Sequence, residues 1–129
     1  MAVKKPERVL VDEWRDVLSL HARTMCELDR ELHRHGLGAS DFEVLDLLAE
    51  HTSSVRVQEL AGRVHLSQSA LSRLIARLEK DGLVDRVMCP DDRRGVKVGL
   101  TDEGRARHAE VLPLQRAVLS RMLSDAPSD

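Results

Sequence analysis

Between Leu66 and Gly82 the 129-residue chain gathers side chains that could grip a polyanion and read its edges. If this stretch is a helix, Leu71, Leu74, Ile75 and Leu78 fall on one stripe at i, i+3, i+4 and i+7. At about 100° per residue the opposite face then carries Ser69, Arg73, Ala76 and Lys80, with Ser72 and Arg77 flanking it. Gln68 has the amide geometry to pair with adenine, and Arg73 and Arg77 could each hold a guanine edge or a phosphate. Ser67, Ser69 and Ser72 are short enough to let the helix backbone come close to a groove. The plain alternative is a solvated helix face.

A second basic group, Arg93 and Arg94, follows Asp92 in the run Cys89-Pro90-Asp91-Asp92-Arg93-Arg94-Gly95, whose Pro, Asp and Gly supply turn chemistry. Cys26 and Cys89 are too few and too far apart for a disulfide framework or a zinc ribbon. Cys26 is expected as a buried structural thiol, and redox sensing through Cys26 or Cys89 is the alternative. The histidines (His21, His33, His35, His51, His65, His108) form no ligand cluster at local spacing, so no metal site is expected. No Gly-rich phosphate loop, nucleophile elbow or metalloprotease motif is present, which removes the enzyme classes those motifs mark; neither catalytic residues nor a cofactor are expected.

These groups need a scaffold, and the pattern supplies one. Val11, Trp14, Leu18, His21, Met25, Leu28 and Leu32 recur at alternating steps of three and four, a heptad seam on a long helix that Gly36-Leu37-Gly38 stops. A seam of this length calls for a partner helix, which a second chain could supply. Ser40 and Glu43 are read as a capping box opening a helix, apolar over much of its surface, that ends near His51. Val55-Arg56-Val57 reads as a short strand and Gln58–Val64 as a brief helix. Ser67 is the expected N-cap of the following helix, with Leu66 and Leu71 as its hydrophobic staple, and Gly82 is its stop. Leu83–Met88 and Val96–Leu100 read as a hairpin with Arg93 and Arg94 at its tip. Thr101 caps a last helix running to about Ser124, bent or interrupted at Pro113.

Length and composition fit one domain: 42% of residues are hydrophobic and 33% charged. Trp14 and Phe42 are the only aromatic residues, which argues against single-strand binders that stack bases on aromatic platforms. No apolar run is long enough to span a membrane and no signal-peptide core is seen, so a cytoplasmic protein is expected. The formal net charge of −2 hides its distribution: residues 56–97 carry nine Lys/Arg against six Asp/Glu, and both flanks are net acidic.

In order and spacing, four groups of residues resemble the MarR (multiple antibiotic resistance regulator) family of winged helix-turn-helix transcription factors. They are Glu59-Leu60-Ala61, Leu66 through Ile75, Leu78-Glu79-Lys80-Asp81-Gly82-Leu83-Val84, and Asp92-Arg93-Arg94 with Leu100-Thr101-Asp102-Glu103-Gly104. The likeness spans roughly residues 10–123. The expected fold is mainly α with a small β-hairpin, a winged helix-turn-helix flanked by N- and C-terminal dimerisation helices. Residues 1–38 would form the first dimerisation helix, 39–104 the DNA-binding unit, and 105–129 the second dimerisation helix and tail, within one compact domain.

The resemblance implies a homodimeric regulator, a repressor in most relatives, on a pseudo-palindromic double-stranded DNA site. It places Arg94 in the minor groove, with Asp92 holding that guanidinium extended. The expected DNA contacts are Ser67, Gln68, Ser69, Ser72, Arg73, Arg77, Arg93 and Arg94; the expected dimer residues are Val11, Trp14, Leu18, Leu112 and Val118. It also implies a small phenolic or anionic effector between the dimer helices and the winged unit, near Trp14, Arg15 and His21. Family members usually carry a further C-terminal helix, and this sequence ends at Asp129, which would leave dimerisation to the first helix and residues 105–123. The alternative class is a protein-interaction module whose basic wing meets an acidic partner.

Overall fold

The computed structural model describes residues 4–88 and 96–124. Helix α1 (Glu7–Leu32) runs into a 3-10 turn at His33–His35, which Gly36 ends with φ 75°. Such a left-handed residue turns the chain out of a helix at no steric cost only when it is glycine. Leu37 then donates its amide to the carbonyl of Leu32 and is itself buried.

Helix α2 spans Ala39–Ala49 and starts earlier than the Ser40–Glu43 pattern implies. Asp41 accepts from the Gly38 amide at 2.8 Å, and Asp29 reaches across from α1 to accept from the Ala39 amide at 2.7 Å. Two carboxylates at a helix N-terminus satisfy orphan amides and complement the dipole. The cap is therefore decided partly by a residue on another helix, and Ser40 is displaced from the role. Phe42, Val44, Leu45, Leu47 and Leu48 are buried, so α2 lies in the core as its composition demands.

Strand β1 (Val55–Arg56) leads directly into α3 (Val57–Val64), and α4 follows at Gln68–Lys80. Strands β2 (Val84–Met88) and β3 (Val96–Leu100) form the expected hairpin, paired from Val84↔Leu100 to Met88↔Val96. The sheet has a third member: β1 pairs antiparallel with β3 through Val55↔Val98 and Arg56↔Lys97, giving the order β1-β3-β2. Val98 is buried at the centre.

Helix α5 (Asp102–Leu123) is one continuous run that contains Pro113, so the helix is not interrupted there. A proline inside a helix removes one donor and crowds the preceding turn, a cost that the packing of Val111, Gln115 and Val118 on either side offsets. Helices α2 and α5 are also joined by polar contacts: His108 Nε2 lies 2.7 Å from Asp46 Oδ1, Arg116 donates to Asp46 Oδ2 at 3.0 Å, and the His108 ring stacks on Phe42.

The seam on α1 divides in two. Its C-terminal half is covered by this chain's own α5, where Leu28 packs with Ala39 and Val118. Its N-terminal half is largely bare: Val11 is half-buried, but Trp14 is 59% and Leu18 46% exposed, with Val9, Leu10 and Val17 exposed beside them. Val118, expected at a dimer surface, is 1% exposed within the single chain. It is a core residue, because it faces Leu28 of the same molecule. Leu112 is half-buried against the main core.

Candidate nucleic-acid interface

Helix α4 begins as its sequence requires. Ser67 sits in extended backbone and its hydroxyl accepts from the Ala70 amide at 3.1 Å. Leu71, Leu74, Ile75 and Leu78 are buried, and Gly82 closes the helix at φ 79°. With that ridge turned inward, Ser67, Gln68, Ser69, Ser72, Arg73, Ala76 and Lys80 all face solvent. Arg73 makes no ion pair among the described residues, so its guanidinium is available to an anion. The turn between α3 and α4 is tight because His65 takes the left-handed conformation, φ 59° and ψ 40°.

Arg77 departs from the reading of this face as a whole. The sequence sets it beside Arg73 as a duplex contact, but its Nη2 pairs with Asp41 Oδ1, a carboxylate only 6% exposed at the start of α2. Cys26 is exposed on α1 rather than packed as a structural thiol. Cys89, Asp92, Arg93 and Arg94 lie in residues 89–95, outside the described residues.

Two cationic residues were missed by sequence reasoning. Arg56 on β1 and Arg86 on β2 line a notch of about 190 Å³ with Gln58, Gln68 and Ser72, between the sheet and the start of α4. Arg86 also donates to Glu79 of α4 at 3.1 Å. They lie far apart in sequence and meet α4 only because β3 joins β1 and β2. The outward position of Arg86 on a short strand was the available signal.

The wing root is fixed to the rest of the molecule at Thr101. Its hydroxyl donates to the Gly82 carbonyl at 2.6 Å and accepts from the Gly104 amide at 2.9 Å, while its own amide donates to the Leu83 carbonyl at 3.1 Å. A Cβ on Gly104 would stand 2.0 Å from the Leu83 carbonyl oxygen. The Leu100-Thr101-Asp102-Glu103-Gly104 motif thus has a physical meaning: a threonine ties the end of α4 to the start of α5, and only glycine permits that approach.

A groove of about 370 Å³ runs between α1, the start of α2, the α3–α4 turn and α5, lined by His21, Met25, Glu43, His65, Gln115 and Leu119 among others. Of the residues expected near an effector, His21 lines it; Trp14 and Arg15 do not. Partial desolvation raises the pKa of the Glu43 carboxyl although the residue remains exposed; Asp46 and Glu50 push the same way, and Arg116 partly offsets them. Among the described residues no group of three His, Cys, Asp or Glu could hold a metal ion, and no helix is long and apolar enough to cross a membrane.

Comparison with known proteins places this geometry. The sequence model of the MarR family matches residues 37–96. The HTH-type transcriptional repressor MdtR of Bacillus subtilis is 30% identical over 122 residues, covering 95% of this chain and 78% of its own length. The crystal structure of AbsC, a MarR family transcriptional regulator from Streptomyces coelicolor, superposes with a TM-score of 0.84 at 30% identity, covering 98% of this chain and 86% of that one. A second MarR family transcriptional regulator from the same organism, solved in complex with DNA, gives 0.85 at 30% identity over 98% of this chain and 81% of that one.

Proposed function

We propose, from the premise that the chain belongs to the MarR family of transcriptional regulators, that it binds double-stranded DNA sequence-specifically as a homodimer and represses transcription from the site it covers. The observation that carries this reading is the free face of α4: serines, Gln68 and Arg73 turned to solvent by a fully buried leucine ridge. In this reading residues 39–104 form the DNA-binding unit, flanked by dimerising segments 1–38 and 105–129. Gln68 and Arg73 read base edges while Ser67, Ser69 and Ser72 admit the backbone to the major groove. Arg93 and Arg94 supply the wing contact, Asp92 supports Arg94, and Arg56 and Arg86 add phosphate neutralisation at the wing root.

The bare apolar stripe of α1, Leu10, Trp14, Val17 and Leu18, supports a second copy as the dimer partner. Two recognition helices about one DNA turn apart would read an inverted repeat. A small effector would enter the groove lined by His21, Met25 and Gln115, between the dimer helices and the DNA-binding unit. A cytoplasmic location follows from this reading.

Selection from a random-sequence duplex library, with affinity followed across salt concentration, tests the proposal. Enrichment of inverted repeats and a steep loss of affinity with salt are expected. Arg94→Ala should weaken binding of the enriched duplex strongly and leave the thermal melt unchanged. No enrichment, with salt-insensitive association, would sink the assignment and point instead to a protein partner.

A further inference from the structure

Arg77 occupies the flank of the proposed contact face, yet its guanidinium turns back to α2. Its partner Asp41 is the one buried charged residue among the described residues, its side chain 6% exposed, and it is held on both oxygens: Oδ2 accepts from the Gly38 amide at 2.8 Å and Oδ1 from Arg77. A carboxylate so enclosed is tolerated only when paired and hydrogen-bonded, so removal of the Arg77 guanidinium, itself 56% exposed, leaves the Asp41 charge uncompensated. The next amide, that of Ala39, is held at 2.7 Å by Asp29 of α1. A continuous polar path therefore joins α1, the first turn of α2, and the last turn of α4.

We infer that Asp41 and Arg77 form a positioning bolt that sets the recognition helix against the α1–α2 corner, and that Arg77 acts on DNA through this bolt rather than by touching the duplex. The inference rests on the DNA-binding reading above. Direct contact and positioning predict opposite behaviour for Asp41. Were Arg77 a phosphate ligand, Asp41 would be its competitor, and neutralising Asp41 would strengthen binding. As a bolt, Asp41 is required, and the two residues act as one unit.

Asp41→Asn retains an oxygen to accept from Gly38 and removes only the charge; Arg77→Met keeps the length of the side chain and removes the guanidinium. Two readouts are taken on the full chain: amide hydrogen exchange over residues 68–80 without DNA, and anisotropy with the duplex enriched from the random library. Both variants should exchange faster across α4, and each should lose about tenfold in affinity, the size of one lost base-pair contact. The double variant should lose no more than either single one, and the slope of log affinity against log salt should be unchanged.

Three results overturn the bolt: unchanged exchange over 68–80, tighter binding by Asp41→Asn, or a salt slope that drops by about one phosphate in Arg77→Met alone. Failure of the unaltered protein to bind any duplex would refute the regulator reading instead, and exchange would still decide the bolt.

Discussion

Gly104→Ala adds one methyl group at the place where α5 leaves the wing root. That carbon would stand 2.0 Å from the Leu83 carbonyl oxygen and 3.0 Å from its carbon, whereas a carbon–oxygen contact needs roughly 3.3 Å. The two nearest atoms belong to the backbone and cannot swing aside; only the third, Leu100 Cδ2 at 3.2 Å, is a side-chain end. The first turn of α5 must move by roughly an ångström, and with it the Thr101 bonds to Gly82 and Leu83. Overpacking of this kind costs about 1–3 kcal/mol and each weakened hydrogen bond about 1 kcal/mol, against about 1 kcal/mol gained from alanine's helix propensity. The net is a loss of roughly 2–4 kcal/mol, which for a chain of this length lowers Tm by roughly 7–15 °C. Gly62→Ala is the internal control, since a Cβ there meets nothing within 4 Å on an exposed turn of α3; it should raise stability by about 0.5–1 kcal/mol. Thermal unfolding followed by circular dichroism, at matched protein concentration, reads both. If Gly104→Ala melted at or above the unaltered protein, the steric account of the motif would be wrong.

Three further outcomes are expected. Because Glu43 binds its proton more tightly when folded, stability falls as pH rises through the ordinary carboxylate value toward its raised folded one; Glu43→Gln should therefore raise Tm at pH 7, with the gain vanishing below about pH 4. His65 is left-handed at φ 59°, so His65→Val should cost about 1–2 kcal/mol while His65→Gly is neutral or slightly stabilising; equal melting temperatures for the two would contradict the turn geometry. Trp14→Glu places a charge in the bare stripe of α1, and sedimentation at micromolar concentration should show monomer with the helical signal intact, because Trp14 is already 59% exposed in the single chain.

Local patterns proved legible where neighbouring residues decide the outcome. Ser67, the ridge Leu71, Leu74, Ile75 and Leu78, and the stops at Gly36 and Gly82 each depend on side chains within a turn or two, and their expected roles hold. Features fixed across the fold escaped. Asp29 lies ten residues before the amide it caps, and nothing in Ser40-Asp41-Phe42-Glu43 discloses it. Val118 carries the same apolar signal whether it meets its own α1 or another molecule's, so period alone could not place it. Arg77 and Arg73 differ by four positions on one helix face, and only the arrival of Asp41 from α2 separates their surroundings. The partner of β1 was likewise hidden, because two residues hold too little pattern to name the strand they join.

Helix α5 has 22 residues, an arm of roughly 33 Å, and its near end is pinned at Thr101 to the end of the recognition helix and the first strand of the wing. Leverage follows from that length. A displacement of about 3 Å at Leu123 turns the arm by only about 5° at its fulcrum, so movement at the remote end is geared down to fine angular adjustment beside the wing. Whatever grips the far third of α5, including the Arg121–Glu27 pair that fastens it to α1, thereby holds a long handle on the orientation of the hairpin.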